Sequence, residues 1–270
     1  MRRWCLAVLA LMCASAAQAA GGALPASVSQ GGLIVGKLPG LAHASVGGKP
    51  VRVGADGILV FGAGRDDQGP LLVNLAYRDG RRETVRIAVT PRDWPTERVN
   101  GVPPKTVNPP PDLAARIRRE QAEVAAARNR DDDREDFLAG FAWPVHGRIS
   151  GRFGSQRIYN GDPKAPHPGM DIAVPQGTPV QAPADGIVTF ARPGLYLTGG
   201  TVLLDHGYGL SSSFLHLSRL DVKAGQRVHR GEVLGAAGMT GRATGPHVHW
   251  GVNWFGVRLD PLLLPGIAKP

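Results

Sequence analysis

Glycine and proline divide the second half of the chain into short β-rich segments. From residue 140 onward, turn residues recur about every 8–12 positions, which is typical of an all-β sandwich or barrel. Strands do not alternate with helices there, so a doubly wound parallel sheet is not expected. The sequence therefore predicts an antiparallel β-sheet domain over residues 140–265, with strand candidates at 179–182, 186–191, 201–204, 210–217, 232–234 and 247–253.

Residues 20–100 also favour short strands. β-rich runs at 51–53, 57–61 and 71–75 are bounded by turn residues, and the segment 84–89 alternates apolar and polar side chains as a half-buried strand does. Asp79-Gly80 stands where a hairpin turn is expected. We predict a small N-terminal β-sandwich, an accessory domain whose role is binding or spacing.

A joint and a helix, residues 101–139, are predicted to connect these two domains. Five prolines between 101 and 111 disfavour both a helix and a central strand, so this stretch is expected to be a stiff spacer. Asp112 occupies the position of an N-cap, and the helix is expected from Leu113 to about Arg130. Its thin apolar stripe, carried by Ile117 and Val124 among others, indicates a helix that leans on a neighbour.

The segment 1–19 has the three parts of a secretory signal peptide. Arg2 and Arg3 form a positive n-region, residues 6–12 form an apolar h-region, and residues 17–19 have the small-x-small pattern of a cleavage site. The apolar run is too short to cross a bilayer as a helix. The pattern predicts an exported protein that is periplasmic or secreted after cleavage.

The cysteines and the charge limit the chemistry and the partners. Cys5 and Cys13 both fall within the predicted signal peptide, so an exported chain would have neither disulfides nor thiolate metal ligands. No later apolar run has the length of a membrane span. The formal net charge of +9 suits an anionic envelope polymer, or serves solubility alone. Export makes nucleic acid an unexpected partner.

A pair of histidines in the last predicted strand is the first candidate for metal chemistry. His247 and His249 are spaced as His-x-His, so on a strand their side chains share one face about 7 Å apart. Two such imidazoles can converge on one metal, or one can bind the metal while the other contacts its water. Alone, the pair is weak evidence, because paired histidines also occur without function.

Two further segments add candidates. Pro168-Gly169 between His167 and Asp171 excludes a regular helix and implies a tight turn that can bring imidazole and carboxylate together. Such nitrogen and oxygen ligands suit Zn²⁺. His216 stands between large apolar residues and would by default be a core histidine. A catalytic zinc needs three protein ligands and one open position, so these candidates exceed the ligand set, and the remaining imidazoles could serve acid–base catalysis.

Together, these residues resemble the lysostaphin-type, or LytM-type, zinc metallopeptidases. The resemblance covers about residues 143–261. It rests on motifs that occur in the family's order: His167-x-x-x-Asp171, Gly177-Thr178-Pro179-Val180, Asp185-Gly186, Asp205-His206-Gly207, His216-Leu217, Gly238-Met239-Thr240-Gly241 and Gly245-Pro246-His247-Val248-His249.

The resemblance implies a role for each of five residues. His167, Asp171 and His249 correspond to the family's zinc ligands, and His216 and His247 correspond to its catalytic histidines. It also implies an antiparallel β fold with a narrow groove over the metal, and hydrolysis of peptide bonds in peptidoglycan stems or cross-bridges. No cofactor other than Zn²⁺ is expected.

Other interpretations stay open from the sequence. A non-catalytic regulator of the same fold would bind and activate a wall amidase, and a wall-binding β module would share the strands and the basic charge. The N-terminal region also resembles, more weakly, the accessory region of Gram-negative members, and it could fold over the groove as an intramolecular inhibitor. Among the remaining histidines, we expect His206 to be structural and His146 and His229 to lie on the surface.

Overall fold

A computed structural model describes residues 23–268, so the predicted signal peptide lies outside the described residues. The described chain is mostly β-strand with few helices, which confirms the predicted all-β class. Strands and helices are numbered in chain order. Eight strands precede the first helix: β1 (Ser27–Ser29), β2 (Leu33–Lys37), β3 (Leu41–Val46), β4 (Lys49–Val51), β5 (Ile58–Gly62), β6 (Leu71–Tyr77), β7 (Arg82–Thr90) and β8 (Thr96–Val99).

The N-terminal strands form two layers. Five of them pair in the order β1-β7-β6-β3-β4, and the second layer is the two-stranded ribbon β2–β5. The predicted hairpin turn at Asp79-Gly80 joins β6 to β7, with Gly80 at a φ of +89°. The strand predicted at 51–53 is wrong beyond its first residue. The chain leaves the sheet after Val51, and Arg52 instead pairs with Asp131, with 2.8 Å between Nε and Oδ1.

The ribbon β2–β5 is buried on both faces. Leu59 and Phe61 face the N-terminal layer and pack with its core residues. Ile58 and Val60, which alternate with them, belong to the core of the C-terminal half. Every residue of β5 is buried, which explains its continuous apolar sequence, because a strand covered on both sides needs no polar face. The two halves therefore share one structural element.

The connecting segment differs in part from the prediction. The proline-rich stretch contains a short helix, α1 (Pro104–Val107), so its expected lack of helix is wrong. The long helix α2 (Pro111–Arg128) begins earlier than expected, with Pro110 at the N-cap position. Asp112 lies in the first turn, where a carboxylate is favoured by the helix dipole and proline is tolerated. No helix among the described residues is long and apolar enough to cross a membrane.

Helix α2 packs on a β-hairpin of the C-terminal half. Val124 and Ala127 contact a small apolar cluster that includes Phe190 and Leu203. Glu120, although charged, is buried and accepts a hydrogen bond of 2.7 Å from the backbone N–H of Tyr196. These contacts fix the helix across the sheet, as the thin apolar stripe in the sequence predicts.

The C-terminal half is built on an eight-stranded sheet with antiparallel pairing. Its strands run in the order β18-β14-β15-β16-β20-β12-β9, and β21 pairs with β20 beside this path. A single-turn 3-10 helix (Pro261–Leu263) follows the last strand. The strands of this half are β9 (Arg148–Gly151), β10 (Gln156–Tyr159), β11 (Asp162–Pro163), β12 (Met170–Ala173), β13 (Pro179–Gln181), β14 (Gly186–Leu195), β15 (Gly199–Asp205), β16 (Leu210–Leu217), β17 (Arg219–Leu220), β18 (Arg227–Val228), β19 (Val233–Ala236), β20 (His247–Trp254) and β21 (Val257–Leu259).

His206 is a buried structural histidine, as the sequence suggests. Its Nδ1–H donates to the carbonyl of Asp185 at 2.7 Å, and its Nε2 lies 2.9 Å from the hydroxyl of Ser212. Burial lowers the pKa of His206 to about 4, from an ordinary value of 6.5. The imidazole is therefore neutral in the fold at pH values where it would already be protonated in the unfolded chain.

This neutral imidazole should make folding sensitive to acid. The unfolded chain takes up the proton first, so the stability from neutral His206 is complete above about pH 6.5 and is lost as the pH falls toward about 4. Between these pH values the free energy of unfolding should decrease as the pH falls. We expect His206→Gln to reduce the slope of this dependence by up to about 1.4 kcal/mol per pH unit. Urea unfolding of the chelator-treated protein between pH 7 and pH 4 measures it. Exposed His229 gives the control, His229→Gln, and equal slopes for all three proteins would contradict the prediction.

Candidate metal centre

Adjacent strands bring the predicted ligands together. Asp171 of β12 pairs directly with His249 of β20, so their side chains emerge on the same face of the sheet. His167 belongs to the turn that leads into β12. The Oδ1 atom of Asp171 lies 3.1 Å from His167 Nε2 and 2.8 Å from His249 Nδ1, and the two ring nitrogens are 3.0 Å apart.

These three atoms fit a metal ion. Four ligands placed tetrahedrally at about 2.0–2.2 Å lie about 3.3–3.6 Å from one another, so the observed triangle needs only a small expansion to accept Zn²⁺. Two imidazoles and one carboxylate form a donor set typical of catalytic zinc, which leaves the fourth position for water or substrate. His167, Asp171 and His249 could therefore hold one metal ion.

The surrounding backbone determines which ring nitrogen is available. A carbonyl oxygen can only accept, so Nδ1 of His167 donates to the carbonyl of Arg152 at 3.1 Å, and Nε2 is the nitrogen that faces the cluster. Glycine is required at two positions nearby. A Cβ at Gly151 would lie 2.9 Å from His167 Cε1, and one at Gly169 would lie 2.7 Å from His249 Nε2.

The electrostatics favour a carboxylate anion at Asp171 beside a neutral His249. Burial alone would raise the pKa of Asp171, but hydrogen bonds and charge from His167 and His249 outweigh it and hold this pKa well below its usual range. Burial lowers the pKa of His249 to about 3. Near neutral pH the cluster thus presents an ionised carboxylate and a neutral His249, which is the ligand form that zinc requires.

Arg157 is a site residue that the sequence analysis missed. Its Nη2 donates to the outer oxygen, Oδ2, of Asp171 at 2.8 Å, and its Nη1 lies 2.9 Å from the hydroxyl of Tyr159. Arg157 reaches this place because β10 pairs in parallel with β8, opposite Glu97. An arginine outside the metal-ligand motifs carries no signal in a single sequence. In the structure it fixes the rotamer of Asp171 and leaves Oδ1 for the metal.

Replacing Arg157 should weaken metal binding without removing a ligand. We expect Arg157→Met to raise the dissociation constant for Zn²⁺ about 10–100-fold, because groups that orient metal ligands contribute on that scale. Competition with a chromophoric chelator measures this affinity independently of catalysis. Arg152→Met is the matched control, since only the backbone carbonyl of Arg152 contacts His167. Unchanged affinity in Arg157→Met would contradict the positioning role.

The two remaining candidates, His216 and His247, lie beside the cluster, and the backbone holds both rings in the same way. Nδ1 of His247 donates to the carbonyl of Gly245 at 2.8 Å, and Nδ1 of His216 donates to the carbonyl of Thr240 at 2.8 Å. In the neutral form of either ring, the lone pair is therefore on Nε2. The two rings are 4.7 Å apart, and His247 Nε2 lies 3.8 Å from Asp171 Oδ1. Burial, followed by the charge of His247, lowers the pKa of His216 to about 4.

The backbone conformation of His216 turns its side chain toward the cluster. Leu215 pairs directly with His249, so strict alternation along β16 would point His216 into the core with Phe214. Instead, His216 has a φ of +65°, in the left-handed region that non-glycine residues rarely adopt. Its ring consequently lies 6.5 Å from that of His249. Strained backbone of this kind is concentrated at functional sites, where it places a group that regular structure could not.

A groove of about 960 Å³ lies over the cluster and is lined by His167, His249 and the neighbouring His216. Its floor is the sheet around His249 and Ser213, and its opposite wall is helix α2, through Gln121, Val124 and Ala125 among others. The N-terminal half also reaches it through residues 64–67. The other histidines stay outside: His43, His146 and His229 are exposed, as expected for the last two.

Comparisons with known proteins match this region. Residues 165–261, which include all five candidate residues, match Peptidase family M23. The chain is 44% identical over 104 residues to peptidoglycan DD-endopeptidase ShyA of Vibrio cholerae, covering 38% of this chain and 24% of ShyA. It is 44% identical over 97 residues to DD-carboxypeptidase/endopeptidase Mpg of Neisseria meningitidis, covering 36% of this chain and 22% of Mpg. The match thus spans about a quarter of the length of these curated relatives.

A solved structure matches over a much larger share. A crystal structure described as a peptidase M23 from Pseudomonas aeruginosa has 36% sequence identity and a TM-score of 0.67. The alignment covers 87% of this chain and 93% of that chain. The likeness therefore extends into the N-terminal half as well as the metal cluster.

Proposed function

The chain belongs to peptidase family M23, and on that premise we propose that it is a zinc-dependent endopeptidase that hydrolyses peptide bonds in peptidoglycan stems or cross-links. The observation that carries the proposal is the arrangement of His216 and His247, whose rings lie beside the His167–Asp171–His249 cluster with each Nδ1 held by a backbone carbonyl. ShyA and Mpg, named as endopeptidases, support the reaction class, and ShyA supports the polymer.

The metal and the histidines would divide the chemistry. Zinc held by His167, Asp171 and His249 would supply Lewis-acid polarisation of the scissile carbonyl and acidify an attacking water. Either His216 or His247 can accept the proton of that water at Nε2, because each Nδ1 is already held by a carbonyl. The imidazolium that results stabilises the developing oxyanion and returns the proton to the leaving amine. The division of these roles between the two histidines is left open.

The proposal is tested with purified cross-linked muropeptides. We expect the zinc-loaded mature protein to convert dimers to monomers, and a zinc chelator to abolish the conversion. Mass spectrometry of the products identifies the bond that is cut. A protein that contains no zinc and cleaves no muropeptide would instead fit the regulator of a wall amidase, and the proposal would be rejected.

The location follows from the substrate. Peptidoglycan lies outside the cytoplasm, and the pattern of residues 1–19 predicts export, so we place the protein in the periplasm or outside the cell. N-terminal sequencing of the protein recovered from these compartments tests this placement. A start at residue 20 or 21 is expected, and an intact Met1 would contradict it.

We also propose that helix α2 restricts access to the groove. The helix forms one wall of the groove and is held there by Glu120, by the ion pair of Glu123 with Arg192, and by its apolar contacts. A peptide that belongs to an intact, cross-linked wall is bulkier than a soluble fragment, so this wall should hinder it more. Helix α2, which precedes the catalytic sheet in the sequence, thus restricts access to the groove of its own chain.

Loosening the helix should therefore increase the cleavage of intact sacculi. Glu120→Ala removes the acceptor for the backbone N–H of Tyr196, a charge-assisted hydrogen bond of about 1.5–3 kcal/mol. We expect a several-fold faster release of soluble fragments from sacculi, measured by dye release, and no gain on soluble muropeptides. Exposed Arg119 on the same helix gives the control, Arg119→Ala. A rate on sacculi that is equal or lower would contradict the restriction.

Truncation is a poor substitute for this experiment. Removing all residues before Gly140 would also remove Ile58 and Val60 of the shared ribbon, and these side chains fill the core of the C-terminal half. Loss of activity in such a fragment would report unfolding as readily as a loss of regulation.

A further inference from the structure

The groove is strongly cationic beyond the metal centre. Its acidic side chains are already engaged: Asp66 pairs with Arg65, Asp67 accepts from the backbone of Gly64, and Glu120 holds Tyr196. The basic side chains outnumber them two to one and are Arg65, Arg128, Arg157, Lys164, Arg242 and Arg258. Arg65, Arg157 and Lys164 are themselves paired with carboxylates. The excess positive charge is carried by the other three, and it favours an anionic ligand.

Three of these arginines, Arg128, Arg242 and Arg258, lack an acidic partner among the described residues, and two of the three lie near each other. Within residues 23–268, neither Arg128 of α2 nor Arg258 of β21 forms an ion pair, and the charge that acts on Arg128 is that of Arg258. Burial, together with this repulsion, lowers the pKa of Arg128 to about 10, and burial lowers the pKa of Arg258. Two desolvated like charges destabilise each other unless an anion binds between them.

Two buried donors without partners belong to Arg128 itself and to Asn253, the residue that Arg258 contacts. Asn253 is 1% exposed, and its Oδ1 accepts from Arg258 Nη1 at 3.0 Å, so its amide nitrogen Nδ2 is left as a buried donor without an acceptor. The Nε–H of Arg128 is also buried and has no partner in the described part of the chain. Buried donors in native structures normally have partners, so an unpaired amide N–H of Asn253 and an unpaired N–H of the Arg128 guanidinium indicate a missing acceptor.

The position of these residues relates them to the metal centre. Asn253 follows His249 on β20 by four residues and shares its face of the sheet, which places it about 13–14 Å away at about 3.4 Å per residue. Arg258 pairs directly with Asn253. Between them and the metal ligands, the floor is formed by Gly251 and Ser213, a cross-strand pair of small residues. This part of the floor is open to an extended chain.

We propose that Arg128, Asn253 and Arg258 form a subsite that binds a carboxylate of the peptide substrate. This inference rests on the proposed function, which places the scissile bond at the metal ligands. A separation of about 13–14 Å corresponds to about four residues of extended peptide, at about 3.3–3.6 Å each, so the carboxylate lies about four residues from the scissile bond. Guanidinium groups match the planar carboxylate through paired charge-assisted hydrogen bonds. Helix α2 is thereby a specificity element as well as a wall.

The test compares two forms of one ligand on the full mature chain. The probes are a purified cross-linked muropeptide with free carboxylates and the same muropeptide after conversion of its carboxylates to carboxamides. Titration calorimetry with the chelator-treated protein measures binding without cleavage. We expect the free carboxylates to bind about tenfold or more tightly, on the scale of charge-assisted hydrogen bonds.

Variants locate that preference. Arg128→Met and Arg258→Met keep much of the side-chain volume and should each reduce the preference to about threefold or less, whereas Arg119→Met, on the exposed side of α2, should retain it. With zinc restored, the two variants should raise KM with little change in kcat, as expected for a contact made equally in ground and transition states. If Arg258→Met fails to fold, Arg128→Met and the milder Arg258→Lys carry the test.

The outcomes separate the subsite from the proposed function. Equal binding of the two probes by the unmodified protein, or a preference that survives in Arg128→Met, would overturn the subsite even if muropeptides are cleaved. A carboxylate preference that depends on Arg128 and Arg258, in a protein that cleaves no muropeptide, would support the subsite and refute the endopeptidase proposal.

Discussion

The Asp171→Ala variant is expected to lose both zinc and activity. Asp171 is the residue that contacts every other part of the cluster: Oδ1 meets His167 and His249, and Oδ2 meets Arg157. Its removal takes one of three ligands and leaves the Arg157 guanidinium without its carboxylate beside two imidazoles. Since the metal contributes several kcal/mol to catalysis, the rate should fall about a thousandfold or more.

Metal analysis and muropeptide cleavage measure the two losses separately. Inductively coupled plasma mass spectrometry should find about one zinc per unmodified chain and almost none in Asp171→Ala. The matched control is Asp221→Ala, which removes an exposed carboxylate that pairs with Arg219 and should change neither quantity. Stoichiometric zinc in Asp171→Ala would show that the metal is held elsewhere, and the proposed ligand set would be abandoned.

The His247→Ala variant is expected to keep zinc and lose most of its activity. Nδ1 of His247 is occupied by the carbonyl of Gly245, and its Nε2 lies 3.8 Å from Asp171 Oδ1, so it borders the ligand cluster without completing it. Removing a general acid–base group costs about 10²–10⁴ in rate. The loss should appear in kcat as well as in kcat/KM, because the proton transfer occurs only in the transition state.

Metal analysis and muropeptide cleavage also distinguish His247→Ala from Asp171→Ala, because only the latter should lose zinc. His229→Ala provides the control, since its imidazole is exposed and contacts Asp185 at the far side of the domain. The pair His216 and His247 offers a second comparison. If the two act as a unit, the double variant should be little worse than either single one. Full activity in His247→Ala would remove it from the mechanism.

The proximity of His167, Asp171 and His249 could be predicted from the sequence because much of their geometry is local. His247 and His249 share a face through strand alternation, and the turn between His167 and Asp171 is encoded by Pro168-Gly169. The resemblance then connects the two segments, and the direct pairing of Asp171 with His249 supplies the contact. The roles of the five residues remain predictions until the variants are measured.

Other features depend on contacts that no short pattern encodes. Arg157 reaches Asp171 only because β10 pairs with β8, far away in the sequence. The orientation of His216 contradicts strand alternation, since its positive φ arises where the chain bends beside Thr240. The Arg128–Arg258 pair combines a helix with the last strand of the sheet. Tertiary packing, rather than propensity, decides each of these.

The helix boundaries illustrate a smaller limit. Asp112 has a residue type that fits an N-cap, but Pro111 is equally suited to the first helical position, and the helix begins there. The short helix α1 is likewise permitted by Pro104 at its start. A proline-rich stretch thus excludes helix interiors but not helix beginnings.

Because both halves share the ribbon β2–β5, they are expected to evolve together. Because Leu59 and Phe61 contribute to one core while Ile58 and Val60 contribute to the other, a substitution in β5 must satisfy two sets of neighbours at once. Recombination that joined a foreign N-terminal region to this catalytic sheet would leave a cavity in the C-terminal core unless the incoming segment carried a matching ribbon. Gene fusion can therefore add modules outside this pair far more easily than it can exchange one of them.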